Sequence, residues 1–480
     1  MISADDSFKI KLTKIYIENF KSLHNFELNL SKINVLVGPN GSGKTNVVES
    51  FIFLKEIFNY VSGKTVNPFF DWWGYDNIVW NNDENLPIKI GIEYEVDNGD
   101  KKEIACYEIT VTGKGGRFQI IKDIFKMKLI RLESIQGEIY VYFDDHVIYS
   151  MKISTLARFK RVKNRVIRIL PKIIEIDENV LYRVLEEDNI LDVSPNHIIG
   201  LLSYYLKNIE NVNTSIDHIS NELANEIKYI IHKKLDNIIP ANMIDLDEDT
   251  FPLKMRSRYD VEIPIDWKSF GMSLFSFYYL IDKMIILKRM NLENIKNPSR
   301  LERAETINLD SSNVLSVLFT IGKGTIPERI QNAVIYAFKK ESIIQLVPTT
   351  DGRIYLEFKE SISKKPFKPP SIPTGLFKLI SIELSLCIAS PLIIIDEIEN
   401  SLHAQLIAYI LDEFRNSNSI GLFTTHSPAL IDIIDPSEII ILYKNIEGET
   451  DKQRYKDIEK IKNELNKLGI TLSEYIYTKE

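Results

Sequence analysis

Gly38-Pro39-Asn40-Gly41-Ser42-Gly43-Lys44-Thr45 follows directly on the apolar run Ile33 to Val37. It precedes a stretch with helical spacing, in which Val47, Phe51, Leu54 and Phe58 share one face and the pattern ends near Gly63. The octapeptide fits G-x-x-x-x-G-K-[ST] without a gap, and strand, loop and helix in that order are the context that gives the pattern a mechanism. Glycines without side chains let consecutive backbone N–H groups curve around phosphate oxygens, and the positive end of the following helix adds a favourable field. In this reading Lys44 reaches the β and γ phosphates of ATP and the Thr45 hydroxyl ligates Mg²⁺. The bland alternative is a chance glycine turn before a helix. The motif alone implies nucleotide binding by residues 38 to 45, and hydrolysis needs further groups.

Those groups are sought at the end of a second apolar run. Leu392-Ile393-Ile394-Ile395 leads into Asp396-Glu397, as a strand buried in a parallel sheet leads into its active edge. Asp396 is expected to hold Mg²⁺, and Glu397 to orient or deprotonate the attacking water. The competing reading makes Asp396 a helix N-cap and Glu397 a partner of the helix dipole. A third strand, Gly421 to Phe423, runs into Thr424-Thr425-His426-Ser427-Pro428. His426, one helix and one strand after the acids, is placed where a ring N–H reaches the γ-phosphate or the water.

Composition sets the bounds. The chain has 480 residues, 44% hydrophobic and 26% charged, which is ordinary for a folded cytoplasmic protein of two or three domains or one head with an insertion. A net charge of −8 argues against whole-surface attraction to nucleic acid or membrane and leaves only local basic patches. Cys106 and Cys387 stand far apart with no C-x-x-C pair, so no zinc site or disulfide framework is indicated. The two most apolar windows, Ser273 to Met290 and Leu376 to Ile395, contain charges or proline, and no membrane span is expected.

Along the chain, Lys11 to Phe20 and Asn25 to Leu30 alternate as strands. Ile88 to Val96, Ile104 to Val111 and Glu138 to Phe143, separated by turn signals, suggest an antiparallel β subdomain. Helical periodicity dominates from Ser154 to Leu287, broken at Pro171, Pro195 and Pro240, with a strand-like interlude at Tyr259 to Ile265. After Asn313 the order is helix, two strands, a Pro-rich turn at Lys365 to Pro373, then alternating helices and strands that imply a parallel sheet.

The phosphate loop, Asp396-Glu397, Glu399-Asn400-Ser401-Leu402-His403, Thr425-His426-Ser427-Pro428 and the opening Ile17-Glu18-Asn19-Phe20-Lys21-Ser22 together resemble ABC-type ATPases. Within them, the RecF, SMC and overcoming-lysogenization-defect (OLD) group of heads is the most similar. The resemblance covers about the first sixty and the last 170 residues. It implies an α/β, ABC-type P-loop head with a mixed or antiparallel β subdomain, a parallel-sheet core and an inserted, mainly helical domain. The expected divisions are 1–150, 151–305 and 306–480. It further implies a head-to-tail homodimer or higher assembly around two ATP molecules, with a signature segment capping the γ-phosphate bound by the partner. Ile372-Pro373-Thr374-Gly375-Leu376 matches best, with Pro373 where many members have serine, so Thr374 and the Gly375 backbone carry the contact. Asp310-Ser311-Ser312-Asn313 resembles the stretch capping a helix before the second lobe. The glutamine loop is unassigned, with Gln119 and Gln136 as candidates.

Members of the OLD-like group often work with a separate effector in antiviral defence. A nuclease domain of the kind some relatives append is not expected in the fifty or so residues after His426. The other reading is a RecF- or SMC-like clamp on DNA. The absence of a long coiled coil or a C-x-x-C hook weighs against it, and the basic stretch Lys152 to Lys172, without an acidic residue from Met151 onward, weighs for it. A solvated helix face is the usual explanation of such a stretch. A transporter motor fits poorly with the long insertion. Phe69-Phe70-Asp71-Trp72-Trp73-Gly74-Tyr75 reads as a core plug before a surface hot spot.

Overall fold

The computed structural model describes residues 9–97, 102–127, 130–135, 138–143, 146–154, 163–169, 267–288, 290, 295–338, 341–360, 365–455 and 457–478. In chain order they form β1 (Lys9–Phe20), β2 (Leu23–Asn29), β3 (Ile33–Val37), α1 (Lys44–Val61), β4 (Ile88–Asp97), β5 (Lys102–Thr112), β6 (Gln119–Met127) and β7 (Ile130–Ile135). There follow β8 (Glu138–Phe143), β9 (His146–Ser154), β10 (Lys163–Ile169), α2 (Trp267–Lys283), β11 (Ile285–Leu287), β12 (Ser299–Arg300), α3 (Val314–Ile321), α4 (Glu328–Phe338), β13 (Ile343–Pro348) and β14 (Arg353–Lys359). The last are α5 (Thr374–Cys387), β15 (Leu392–Ile395), α6 (Ala404–Asn416), β16 (Ile420–Thr424), α7 (Pro428–Ile431), β17 (Ile439–Lys444), β18 (Thr450–Gln453), α8 (Ile458–Leu468) and α9 (Leu472–Thr478). The chain divides into two compact units, residues 1–21 with 53–282 and residues 22–52 with 283–480.

In the first unit an antiparallel sheet runs in the order β10-β9-β8-β7-β6-β5-β4-β1. In β1, β4, β5 and β6 buried residues alternate with more exposed ones, as when one face packs on apolar side chains and the other meets water. Tyr94 and Tyr107 are buried there: the Tyr94 hydroxyl donates to the Ser273 carbonyl of α2 at 2.7 Å, and the Tyr107 ring lies 4.0 Å from that of Phe277. The aromatic stretch splits in two. Phe69, Trp72 and Tyr75 are buried, with Phe69 and Trp72 packed against Phe53, whereas Phe70 and Trp73 are 83% and 91% exposed.

Helical periodicity failed in two places. Residues 163–169 form β10, antiparallel to β9, and residues 285–287 form β11. The β-branched Val166, Ile167 and Ile169 suit a pleated ladder, and Ile285 to Leu287 find a strand partner more than a hundred residues later. The interlude at 259–265, the prolines at 171, 195 and 240, and much of the stretch 151–172 lie outside the described residues. So does most of the insertion expected at 151–305, and the three-part division stays a proposal.

The second unit is built on a six-stranded sheet, β11-β15-β16-β3-β17-β18, parallel except for β18. β3, β15 and β16 are buried at every residue, as their unbroken apolar runs require when both faces are covered. α5 is buried from Leu376 through Leu386. Within it Ser381 and Ser385 donate to carbonyls one turn earlier, and Glu383 Oε2 pairs with Arg329 of α4 at 2.9 Å while its buried Oε1 has no hydrogen-bond partner among the described residues. Residues 47–54 of α1 are all buried, more than the single face expected from spacing. No helix among the described residues is long and apolar enough to cross a membrane.

Candidate nucleotide site

Parallel register decides where the functional side chains emerge. Leu36 of β3 pairs with Thr424 of β16, and Phe423 of β16 pairs with Ile395 of β15. The phosphate loop, His426 and the acid pair therefore leave the same carboxyl edge of one sheet. Adjacent strands lie about 4.8 Å apart, so the loop after β3 and the acids after β15 are separated by roughly 10 Å across β16. That span suits a triphosphate and its metal.

The loop is closed on itself. Lys44, 4% exposed, donates from Nζ to the carbonyls of Gly38 at 2.7 Å and Pro39 at 2.9 Å, and Ser42 N–H donates to Pro39 O at 3.2 Å. Gly43 sits at φ +103°, and a Cβ there would lie 2.1 Å from Thr450 Oγ1, so the position admits no side chain. Thr45, by contrast, is exposed at the first turn of α1.

The acid turn is held differently. Asp396 Oδ1 accepts from the Thr424 hydroxyl at 2.6 Å, and the same hydroxyl oxygen accepts from Glu397 N–H at 2.8 Å. Glu397 is exposed and adopts φ +50°, a costly backbone for a residue with a Cβ, and its Oε2 accepts from the Asn400 amide at 2.5 Å. Lys378 of α5 donates to the Glu397 carbonyl at 2.7 Å. Glu399 Oε1 accepts from the backbone N–H of half-buried His426 at 2.7 Å, tying the acid turn to the end of β16. Lys378 and Glu399 were not singled out from the sequence. They act through contacts with residues far along the chain, and the only local hint was Glu399 within the motif after the acids.

Charge follows geometry. Burial raises the Asp396 carboxyl above its ordinary range; Thr424 and Lys288 oppose the rise, and the carboxylates of Glu397 and Glu49 add to it. Lys288 itself pairs with Glu49. Burial pushes the Lys378 ammonium down to about 8 against the pull of Glu399, Glu397 and Asp396. A carboxylate crowded by other carboxylates in a desolvated edge is a place where a divalent cation is welcome. Among the described residues no group of three or more His, Cys, Asp or Glu could hold a metal alone. Mg²⁺ in its usual habit takes few protein ligands beside phosphate oxygens and water, and exposed Thr45 and the raised carboxyl of Asp396 are oxygen donors of the kind it takes.

The segment expected to act as signature opens α5. Pro373 is the N-cap and offers no side-chain bond, so the first N–H groups of a long buried helix lack a side-chain cap. Gly375 approaches the Ser401 carbonyl too closely for a Cβ, and Thr374 Oγ1 lies 3.5 Å from Ser401 Oγ. The 310–313 stretch does not cap α3 by side chain. Asn313 instead bridges back, accepting from Asn308 N–H and donating to Thr306 O, both at 2.8 Å. Gln119 opens β6 in the other unit, and Gln136 lies outside the described residues.

The chain is 23% identical over 278 residues to the chromosome partition protein Smc of Methanococcus voltae, covering 53% of this chain and 21% of that one. It is 25% identical over 281 residues to the DNA replication and repair protein RecF of Clostridioides difficile, covering 55% and 70%. With the Smc relative of Methanocaldococcus jannaschii it shares 23% over 288 residues, and it spans 24% of that protein's length. The crystallised SmcHead bound to the C-winged helix domain of ScpA aligns with a TM-score of 0.43 at 12% identity, covering 94% and 99%. A family model described as "AAA domain, putative AbiEii toxin, Type IV TA system" matches residues 33–432, and the chain belongs to that family.

Proposed function

We propose that the chain binds Mg-ATP at residues 38 to 45 and hydrolyses it to ADP and phosphate. The observation that carries this reading is the register of β15, β16 and β3, which brings Asp396-Glu397, His426 and the phosphate loop to one sheet edge. Lys44 exchanges its bonds to the Gly38 and Pro39 carbonyls for phosphate oxygens. Thr45 and Asp396 hold Mg²⁺, which when bound neutralises charge on the β and γ phosphates. Glu397 accepts a proton from the attacking water, and His426 donates from its ring to the γ-phosphate side.

In the same reading two heads pair head to tail. Thr374 and the Gly375 backbone of one head, at the open start of α5, cap the γ-phosphate held by the other. ATP closes the pair and hydrolysis reopens it, holding or releasing a separate effector protein in antiviral defence, a role in keeping with a family described by a toxin of a toxin–antitoxin system. A second reading is favoured by the relatives named for chromosome partition and DNA repair: an ATPase that clamps DNA.

Magnesium-dependent phosphate release by the purified chain, lost in Lys44→Ala, tests the ATPase. A wild-type chain that neither binds nor cleaves ATP would end the proposal. Stimulation by DNA that falls when Arg161 and Arg165 become Glu selects the clamp; indifference to DNA selects the effector switch.

A further inference from the structure

Behind the phosphate loop lies a buried chain of neutral hydrogen bonds that the reaction does not use. Thr450, the first residue of β18, donates its hydroxyl to the Ser42 carbonyl at 3.0 Å. Its one proton is then spent, so the 2.7 Å contact between Ser22 Oγ and Thr450 Oγ1 must have Ser22 as donor. Ser22 Oγ in turn accepts from the Asn46 amide at 2.6 Å. The backbone closes the set: Thr450 N–H donates to Ser22 O at 2.8 Å. Ser22, Ser42 and Thr450 are all under 9% exposed. The relay therefore runs in one direction, from Asn46 on the first turn of α1 to Ser42 in the loop, and it straddles Gly43, Lys44 and Thr45.

We propose that Thr450 is a positioning residue for the nucleotide: its hydroxyl fixes the Ser42–Gly43 peptide so that the Gly43 N–H faces the phosphates. A trans peptide points its C=O and the following N–H in opposite directions. Anchoring the Ser42 carbonyl toward β18 consequently aims the Gly43 N–H away from β18, into the loop. The absence of a side chain at Gly43 is the other half of the device, since Thr450 Oγ1 occupies the space a Cβ would need. The inference rests on the ATP reading above and adds to it a residue more than 400 positions from the loop it aims.

The test is equilibrium binding of a fluorescent Mg-ATP analogue to the full chain, with KM and kcat for ATP and the unfolding temperature without nucleotide. Thr450→Val keeps the shape and removes the hydroxyl; Thr450→Ser restores the hydroxyl without the methyl. The expected result is a Kd and KM about tenfold higher in Thr450→Val with kcat within about twofold, and Thr450→Ser within about twofold of wild type. Equal binding by wild type and Thr450→Val overturns the proposal, as does a Thr450→Ser variant as weak as Thr450→Val, which would assign the effect to packing. Should Thr450→Val fail to fold, Ser22→Ala decides: a Kd about threefold higher supports the relay, and an unchanged Kd refutes it. A wild-type chain that binds no analogue sinks the nucleotide reading itself, an outcome distinct from equal binding.

Discussion

The turns after β3 and β15 leave one sheet edge from strands buried at every residue, yet they are braced from behind by different groups. The phosphate loop is braced from behind by hydroxyls, an amide and backbone, with Ser22, Ser42, Asn46 and Thr450 carrying no charge. The acid turn shares a neutral hydroxyl, that of Thr424 on Asp396 and the Glu397 N–H, and adds ions: Lys378 on the Glu397 carbonyl, Glu399 on the His426 N–H, and Asp396 among the carboxylates of Glu49 and Glu397. A neutral brace holds peptide N–H groups in one orientation whatever the solution conditions. A charged brace in a desolvated edge costs more to build and responds to whatever charge arrives. The difference teaches that binding and turnover rest on separable supports, and substitutions should divide them.

The largest separation is expected at Glu397. Glu397→Gln should lower phosphate release about 10³-fold while leaving ATP affinity within a fewfold, as measured by single-turnover kinetics beside equilibrium binding. Unchanged turnover would remove Glu397 from its role. Lys44→Ala should act on binding as well, raising the Kd for ATP about 100-fold through loss of a charge-assisted contact and losing phosphate release with it. Lys378→Met should cut kcat about tenfold with Kd nearly constant, because the Glu397 carbonyl loses its anchor and the φ +50° turn relaxes. Lys378→Arg, which keeps a donor, should recover part of the loss. If Lys378→Met weakened ATP binding as much as Lys44→Ala does, the two braces would not be separate.

A separate effect concerns stability. Burial raises the Glu383 carboxyl from 4.5 to about 7, Arg329 opposing and Glu413 adding to the rise. Between those values the folded chain holds a proton that the unfolded chain has released, so stability falls as pH climbs from about 4.5 to 7. Glu383→Gln should flatten that fall, on the order of 3 kcal/mol across the window, as read by denaturant unfolding at several pH values. ATP affinity should not follow it, since Glu383 sits on α5 and not behind the phosphate loop.

The contrast also governs what the sequence could disclose. Residues 38 to 45 and the acids at 396 and 397 were legible because each is a short contiguous pattern at the end of an unbroken apolar strand. Thr450 and Ser22 were not, because their meaning lies in the contact between them and in the bond from Thr450 to the Ser42 carbonyl, each spanning more than 400 residues. The β17 and β18 hairpin had a local signal, Ile439 to Leu442 followed by a turn with Gly448, which could have been read. β11 could not: three apolar residues continuing a helical pattern become a strand only because β15 offers a parallel ladder. Glu397's left-handed backbone likewise follows from the turn's partners and not from residue type.

The separate braces matter only if both turns serve one nucleotide. A crystal structure of Glu397→Gln with Mg-ATP tests that most directly. The γ-phosphate should lie within hydrogen-bond reach of Lys44 on one side and the residue 397 side chain on the other, with Mg²⁺ between Thr45 and Asp396. ATP bound away from residues 38 to 45, or bound there with the acid turn out of reach of the γ-phosphate, would contradict it.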